Sequence, residues 1–205
     1  MIALALGIAT DAPMALQRMI PDYTASLEAS TEGACEDGAC EPEHEVQAST
    51  DFAQCARSGA KDCGTLPAIG ATEWLNSLGE PHGTVTLVDF WSSSCVNCAR
   101  EIPEVERIYE KYKDAGLVVI GVHSPQQAHE REASVVSGAA SRLGITYPVA
   151  LDPELEAFKA YGANAWPTHY LAGPDGQLRS MGRGTSGLEE QIRNLLTEAG
   201  ASLPN

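Results

Sequence analysis

Val85-Thr-Leu-Val-Asp-Phe-Trp91, followed by Ser92-Ser-Ser-Cys-Val-Asn-Cys98, is the stretch on which the reading of this chain turns. The first seven residues are a short apolar run rich in β-branched and aromatic side chains, and they predict a strand over 84–91. Three serines interrupt it. Beyond Cys95 the apolar residues Ile102, Val105, Ile108, Tyr109 and Tyr112 recur at helical spacing, which predicts a helix over 99–113. Cys95 therefore stands at a helix N-terminus, where unpaired N–H groups and the positive end of the helix dipole favour a thiolate. Such a setting lowers a cysteine pKa from about 8.5 to between about 3.5 and 7.5. Cys98, three residues on, lies one turn along the same face and within reach of a disulfide with Cys95. A thiolate that attacks and a neighbour that resolves are the parts needed for thiol–disulfide exchange. The competing reading of a CxxC pair is half of a zinc site. It asks for a second pair at similar spacing, whereas the other four cysteines stand five and eight positions apart and far upstream.

The chain has 205 residues, enough for one domain of ordinary size with an extension. Its 28 acidic residues against 13 basic ones, with no basic run, argue against a nucleic-acid partner and against docking on an anionic membrane.

Residues 1–24 begin with an apolar stretch, Met1 to Ala9, that is too short to span a bilayer, and no Lys or Arg precedes it as in a signal peptide. A short helix start is one reading. Residues 25–64 have the Glu, Asp, Ala, Ser and Gly composition of a solvated acidic linker, yet hold Cys35, Cys40, Cys55 and Cys63. Six cysteines in all suggest an oxidising compartment. Local pairing would join Cys35 to Cys40 and Cys55 to Cys63, although four cysteines allow three connectivities. Plain staples, a relay that hands electrons to Cys95, and a metal site using Cys35, Cys40 and His44 are all open readings of these four.

Val88-Asp-Phe-Trp91, Cys95-x-x-Cys98 and Pro103 together resemble the active-site segment of thioredoxin-fold proteins. The chain is more closely similar to the extracytoplasmic TlpA/DipZ branch at Gly70–Asn76, Gly121–Pro125, Gly144–Pro148 and Trp166–Leu171. The resemblance runs from about Leu66 to Gly200. It implies an α/β, thioredoxin-like three-layer fold, a central mixed sheet flanked by helices, over 65–200. The acidic, cysteine-containing extension precedes it and a tail, 201–205, follows. It also implies that residues 1–24 are the exit from a membrane region in a longer protein. Asp89 would lie beneath the CxxC and move a proton to or from Cys98, as a desolvated carboxyl can. Pro167 would be cis and face the cysteines, with Trp166 and Thr168 beside it holding an extended partner segment. DipZ-like members often carry Glu after the proline of Gly121–Pro125, and here that residue is Gln126; His123 is the candidate to replace it, against the plainer reading of an exposed loop histidine.

Elsewhere Thr72 is expected to cap a helix through Leu78, with Trp74 and Leu75 turned inward. Residues 117–122 read as a buried strand, 130–143 as a helix, 149–151 as a brief strand, and Pro153 opens a helix carrying Leu155, Phe158 and Tyr161. A hairpin follows over 168–181. Ser186-x-x-Glu189 reads as a capping box for the last helix.

The reading as a whole is a periplasmic or otherwise extracytoplasmic thiol–disulfide oxidoreductase. Its partners are protein thiols and disulfides, and its chemistry needs no metal or organic cofactor. The family resemblance implies a reductive direction, a membrane-embedded thiol reductant as electron source, and membrane tethering in a full-length protein. Two rivals are a thiol peroxidase acting through Cys95, with Ser92 to Ser94 and Arg100 around the sulfur, and a Cu(I) chaperone using Cys95, Cys98 and His169.

Overall fold

The computed structural model describes residues 43–58, 62–77 and 79–204. The chain runs α1 (Glu43–Ser58), β1 (Trp74–Leu75), β2 (Val85–Trp91), α2 (Val96–Tyr112), β3 (Leu117–His123), α3 (Ala133–Leu143), β4 (Val149–Leu151), α4 (Glu156–Ala160), β5 (Thr168–Ala172), β6 (Leu178–Gly182) and α5 (Leu188–Glu198). One six-stranded mixed sheet has the order β1-β4-β3-β2-β5-β6. Strands β2, β3 and β4 are parallel, while β1, β5 and β6 each run antiparallel to the neighbour they join.

Both faces of the sheet are covered, which is why β2 and β3 read as continuous apolar runs. On one face Leu87 and Trp91 of β2 meet Ile102, Val105 and Ile108 of α2, Val136 of α3 and Ile192 of α5. On the other, Val88 and Phe90 meet Ile120, Phe158, Tyr161, Tyr170 and Phe52 of α1. The alternation along β2 thus assigns Asp89 to the α2 side. Helix α2 follows β2 after three serines and ends in a 3₁₀ turn at Lys113–Ala115, closed by Gly116 at φ 101°. A Cβ at that glycine would lie 2.8 Å from Thr84 Oγ1, so the return into β3 requires glycine.

Several local expectations are corrected. Trp74 and Leu75 are not helical. They pair with Ala150 and Val149 as an edge strand, and Asn76, at φ 60°, turns its amide to donate to Ile145 O and Tyr147 O. The expected helix over 130–143 is split into a 3₁₀ turn at Ala128–Arg131 and α3. The last helix is capped at Gly187 rather than Ser186; Glu189 instead takes Arg107, Lys111 and Tyr112 of α2, tying the two helices together.

Within the stretch read as an acidic linker, residues 43–58 form α1. Phe52, Ala53 and Ala56 are buried at helical spacing, and Phe52 sets its ring edge-on to Tyr161 at 5.8 Å. Gly162, at φ 69°, lies directly under α1: a Cβ there would fall 2.5 Å from Ala53 O. A disulfide joins Cys55 in α1 to Cys63. Residues 1–24, Cys35 and Cys40 lie outside the described residues.

Candidate redox site

The site is built where β2 ends and α2 begins. Ser124 N–H donates to Trp91 O, and Cys95 N–H donates back to Ser92 O at 3.1 Å, so the serine loop is held from both sides. Cys95 is the N-cap of α2, with extended backbone (φ −76°, ψ 108°), and its Sγ accepts the Cys98 N–H at 3.1 Å. The helix starts three residues earlier than periodicity suggests, because apolar spacing cannot register the exposed Val96 and Asn97. Cys95 and Cys98 are joined by a disulfide, Cα to Cα 5.3 Å. Their environments differ: Cys95 is half-buried, and Cys98 is 1% exposed. One sulfur is reachable and its neighbour is sheltered.

The Trp166–Pro167 peptide is cis. Trp166 stacks on Phe158 at 4.5 Å and packs, like Cys95, against the apolar layer that holds Cys98. Thr168 donates its hydroxyl to Ala165 O at 2.7 Å, which pins the turn into β5.

Asp89 is buried, and the β2–β5 register sets it opposite His169. His169 Nδ1 lies 3.1 Å from Asp89 Oδ1, an ion-pair contact that is not aligned as a hydrogen bond. Its Nε2 meets Glu101 Oε2 at 3.1 Å. Burial works against a charged imidazole here, but Asp89 and then Glu101 outweigh it and His169 is pushed up to about 9. The histidine is therefore an imidazolium held between two carboxylates at neutral pH.

His123 is not an exposed loop residue. It is the last residue of β3, 1% exposed, edge-on to Trp91, and its Nε2 accepts the Ser93 N–H at 3.1 Å. Burial pushes it down to about 4, so it is neutral and serves the serine loop as an acceptor. Gln126 contributes its backbone: its N–H donates to Glu130 Oε2 at 2.7 Å, as does Gln127 at 3.3 Å. Ser92 donates to the same oxygen. Burial opposes the charge on Glu130, but hydrogen bonds from Ser94, Ser92 and the two backbone groups hold it down to about 2.

Sequence reasoning missed Glu101 and Glu130. Glu101 was findable, standing three residues beyond Cys98 on the same helix. Nothing local marks Glu130 as buried. Among the described residues no cluster of three or more His, Cys, Asp or Glu is placed to hold a metal, and His169, the histidine considered for Cu(I), is engaged by carboxylates.

Residues 66–181 match the model of the AhpC/TSA family. The chain is 39% identical over 225 residues to the protein DipZ of Mycobacterium tuberculosis, covering 99% of this chain and 32% of that protein. It is 31% identical over 139 residues to the thiol-disulfide oxidoreductase YkuV of Bacillus subtilis, covering 63% of this chain and 91% of that one. The solution structure of a thioredoxin-like protein in the oxidized form superposes with a TM-score of 0.59 at 29% identity, over 66% of this chain and 96% of the other. Fold and paired cysteines together define a thioredoxin-fold thiol–disulfide oxidoreductase domain. The chain belongs to the AhpC/TSA family. It spans about a third of the DipZ proteins' length.

Proposed function

We propose that the chain carries out disulfide reduction in partner proteins, outside the cytoplasm, through a domain spanning 65–200. The observation that carries this reading is the asymmetry of the pair: a reachable Cys95 at a helix N-cap, joined to a buried Cys98. In the reduced protein the Cys95 thiolate attacks a partner disulfide, forming a mixed disulfide and releasing one partner thiolate. Cys98 then gives its proton to Asp89 and attacks the Cys95 sulfur. The second partner thiolate leaves, and the domain is left as the Cys95–Cys98 disulfide. Trp166, cis-Pro167 and Thr168 present the partner segment.

The Cys55–Cys63 disulfide supports an oxidising location, since such staples persist outside the cytosol. The resemblance to the TlpA/DipZ branch suggests a membrane-embedded thiol carrier as the source of electrons. Among the described residues no helix is long and apolar enough to cross a membrane. The peroxidase alternative is disfavoured by Ser92, whose hydroxyl is committed to Glu130.

Two measurements test the proposal. Cys98→Ala should accumulate a mixed disulfide at Cys95 with a substrate protein, detected by mass spectrometry; its absence would remove the exchange reading. Titration in glutathione buffers should put the pair below about −220 mV, whereas a value near about −120 mV would make the protein an oxidant.

A further inference from the structure

Asp89 is 1% exposed and stands on the α2 face of the sheet, the face that also buries Cys98. A carboxylate so far from water takes up a proton unless a counter-charge lies beside it. A carboxyl that already holds a proton cannot accept one from Cys98. On β3 the residue opposite Asp89 is Gly121, which has no side chain to offer. The counter-charge comes from the neighbour on the other side: the β5 register sets His169 opposite Asp89, with Nδ1 3.1 Å from Oδ1. Glu101 of α2 meets the far nitrogen, Nε2, at 3.1 Å. The ring is 4% exposed, and although burial opposes its charge, Asp89 and Glu101 outweigh burial and push it up to about 9. At neutral pH each ring nitrogen therefore holds a proton.

We infer that His169 is the fixed counter-charge of the resolving step: its positive ring holds Asp89 ionised and ready to take the Cys98 proton, while Glu101 keeps the ring charged throughout. This rests on the exchange reading above and on Asp89 as the proton acceptor. The ring itself exchanges no proton. Before resolution the cluster holds two negative charges and one positive. The Cys98 thiol passes its proton to the Asp89 carboxylate, and the Cys98 thiolate attacks Cys95 in the mixed disulfide. The Cys95–Cys98 bond forms, the bond from Cys95 to the partner sulfur breaks, and the partner leaves as a thiolate. The domain's two cysteines are oxidised as the partner is reduced. Asp89 is then neutral, and His169 and Glu101 remain as a matched pair rather than as a buried cation left alone, which would be costly. The proton on Asp89 goes to solvent after the partner departs, and the cluster is as it began. The charged groups around the ring are Asp89 from β2, Glu101 from α2 and, in the cleft that the ring lines, Arg183 from the turn after β6; α5 presents uncharged Leu188 and Gln191 there. Near Asp89 stands the phenol of Tyr147, which is raised well above its usual value by burial and then by that carboxylate's charge, and so stays neutral. His169 acts through Asp89 and is a positioning residue.

The test follows the resolving step by stopped flow, using the reduced full chain and a disulfide peptide, from acid to alkaline pH. His169→Gln keeps the volume and removes the charge. It should slow resolution at least about tenfold at neutral pH and move the rate profile to higher pH by about one unit or more, the two being equivalent. His169→Lys puts a positive charge back and should return the profile to within about half a unit of the wild type. A merely structural loss would slow both variants at every pH without moving the profile. In the wild type, the ring nitrogen NMR shifts of His169 should report an imidazolium at neutral pH in both the oxidised and the reduced protein. An unmoved profile in His169→Gln, a displaced one in His169→Lys, or a neutral ring in either redox state overturns the counter-charge. Should neither variant fold, the wild-type ring shifts decide. If Asp89→Asn slows resolution while His169→Gln leaves its rate and profile alone, the counter-charge fails and the exchange reading stands. If the wild type forms no mixed disulfide, it is the exchange reading that fails.

Discussion

Glu130 Oε2 receives the Ser92 hydroxyl at 2.8 Å across 38 residues of sequence, and so couples the loop before the redox helix to the loop after β3. The same oxygen takes the backbone N–H groups of Gln126 and Gln127. Removing the carboxylate leaves the buried Ser92 hydroxyl and two partly buried backbone N–H groups without their acceptor, and a buried donor so stranded carries a penalty of about 1–3 kcal/mol. Glu130→Ala should lower the free energy of unfolding by about 3 kcal/mol or more, measured by urea denaturation. A loss under about 1 kcal/mol would mean that the two loops hold themselves.

The N-cap gives a finer test at Cys95. Its sulfur accepts the Cys98 N–H, a position at which serine is favoured and alanine is not. Neither Cys95→Ser nor Cys95→Ala can form the Cys95–Cys98 disulfide, so they differ chiefly in the cap. Cys95→Ser should be the more stable by about 1 kcal/mol in denaturant titrations. Equal stabilities would show that the helix start is held by the serine loop alone.

Stability should be greatest near pH 6.5 and fall on either side. His169 has a folded pKa of about 9, above the usual value near 6.5, so its contribution is complete below about pH 6.5 and is lost as pH rises toward 9. His123, held down to about 4, contributes above about pH 6.5 and loses that contribution as pH falls toward 4. Glu130 adds a lower acid limb, complete above about pH 4.5 and lost toward 2. Denaturation midpoints across this range check the shape. His169→Gln should flatten the alkaline limb only.

The Cys55–Cys63 bridge closes a short loop, with a sequence separation of 8. Chain-entropy arguments assign such a closure about 2–3 kcal/mol. The double variant Cys55→Ala, Cys63→Ala should lose about that much stability and keep wild-type thiol–disulfide exchange at Cys95. A drop in exchange with unchanged stability would make the bridge part of the electron path instead.

What could be read in advance followed from local pattern. The change from strand to helical period around Cys95 marked β2 and α2, and the loss of alternation in 117–122 marked β3 as covered on both faces. Trp74 and Leu75 misled because a two-residue strand is defined by its partner, and β4 lies more than seventy positions away. His123 was taken for a loop residue because Pro125 follows so closely, yet the strand carries it inside before the chain turns. Acidic composition hid α1, whose few apolar residues are spaced correctly but outnumbered. The contact between Asp89 and His169 belongs to the register of β2 on β5, which no window of sequence contains.

Gly162 decides whether α1 can seat on the exchange domain. Residues 66–181 match the family model, and α1 lies before them, seated on the surface at Gly162. A methyl group at 162 would collide with the Ala53 backbone. This one position is the gate at which the surface admits or refuses the added helix. Relatives with any side chain there should dispense with α1, and grafting α1 onto them should begin by clearing that site to glycine.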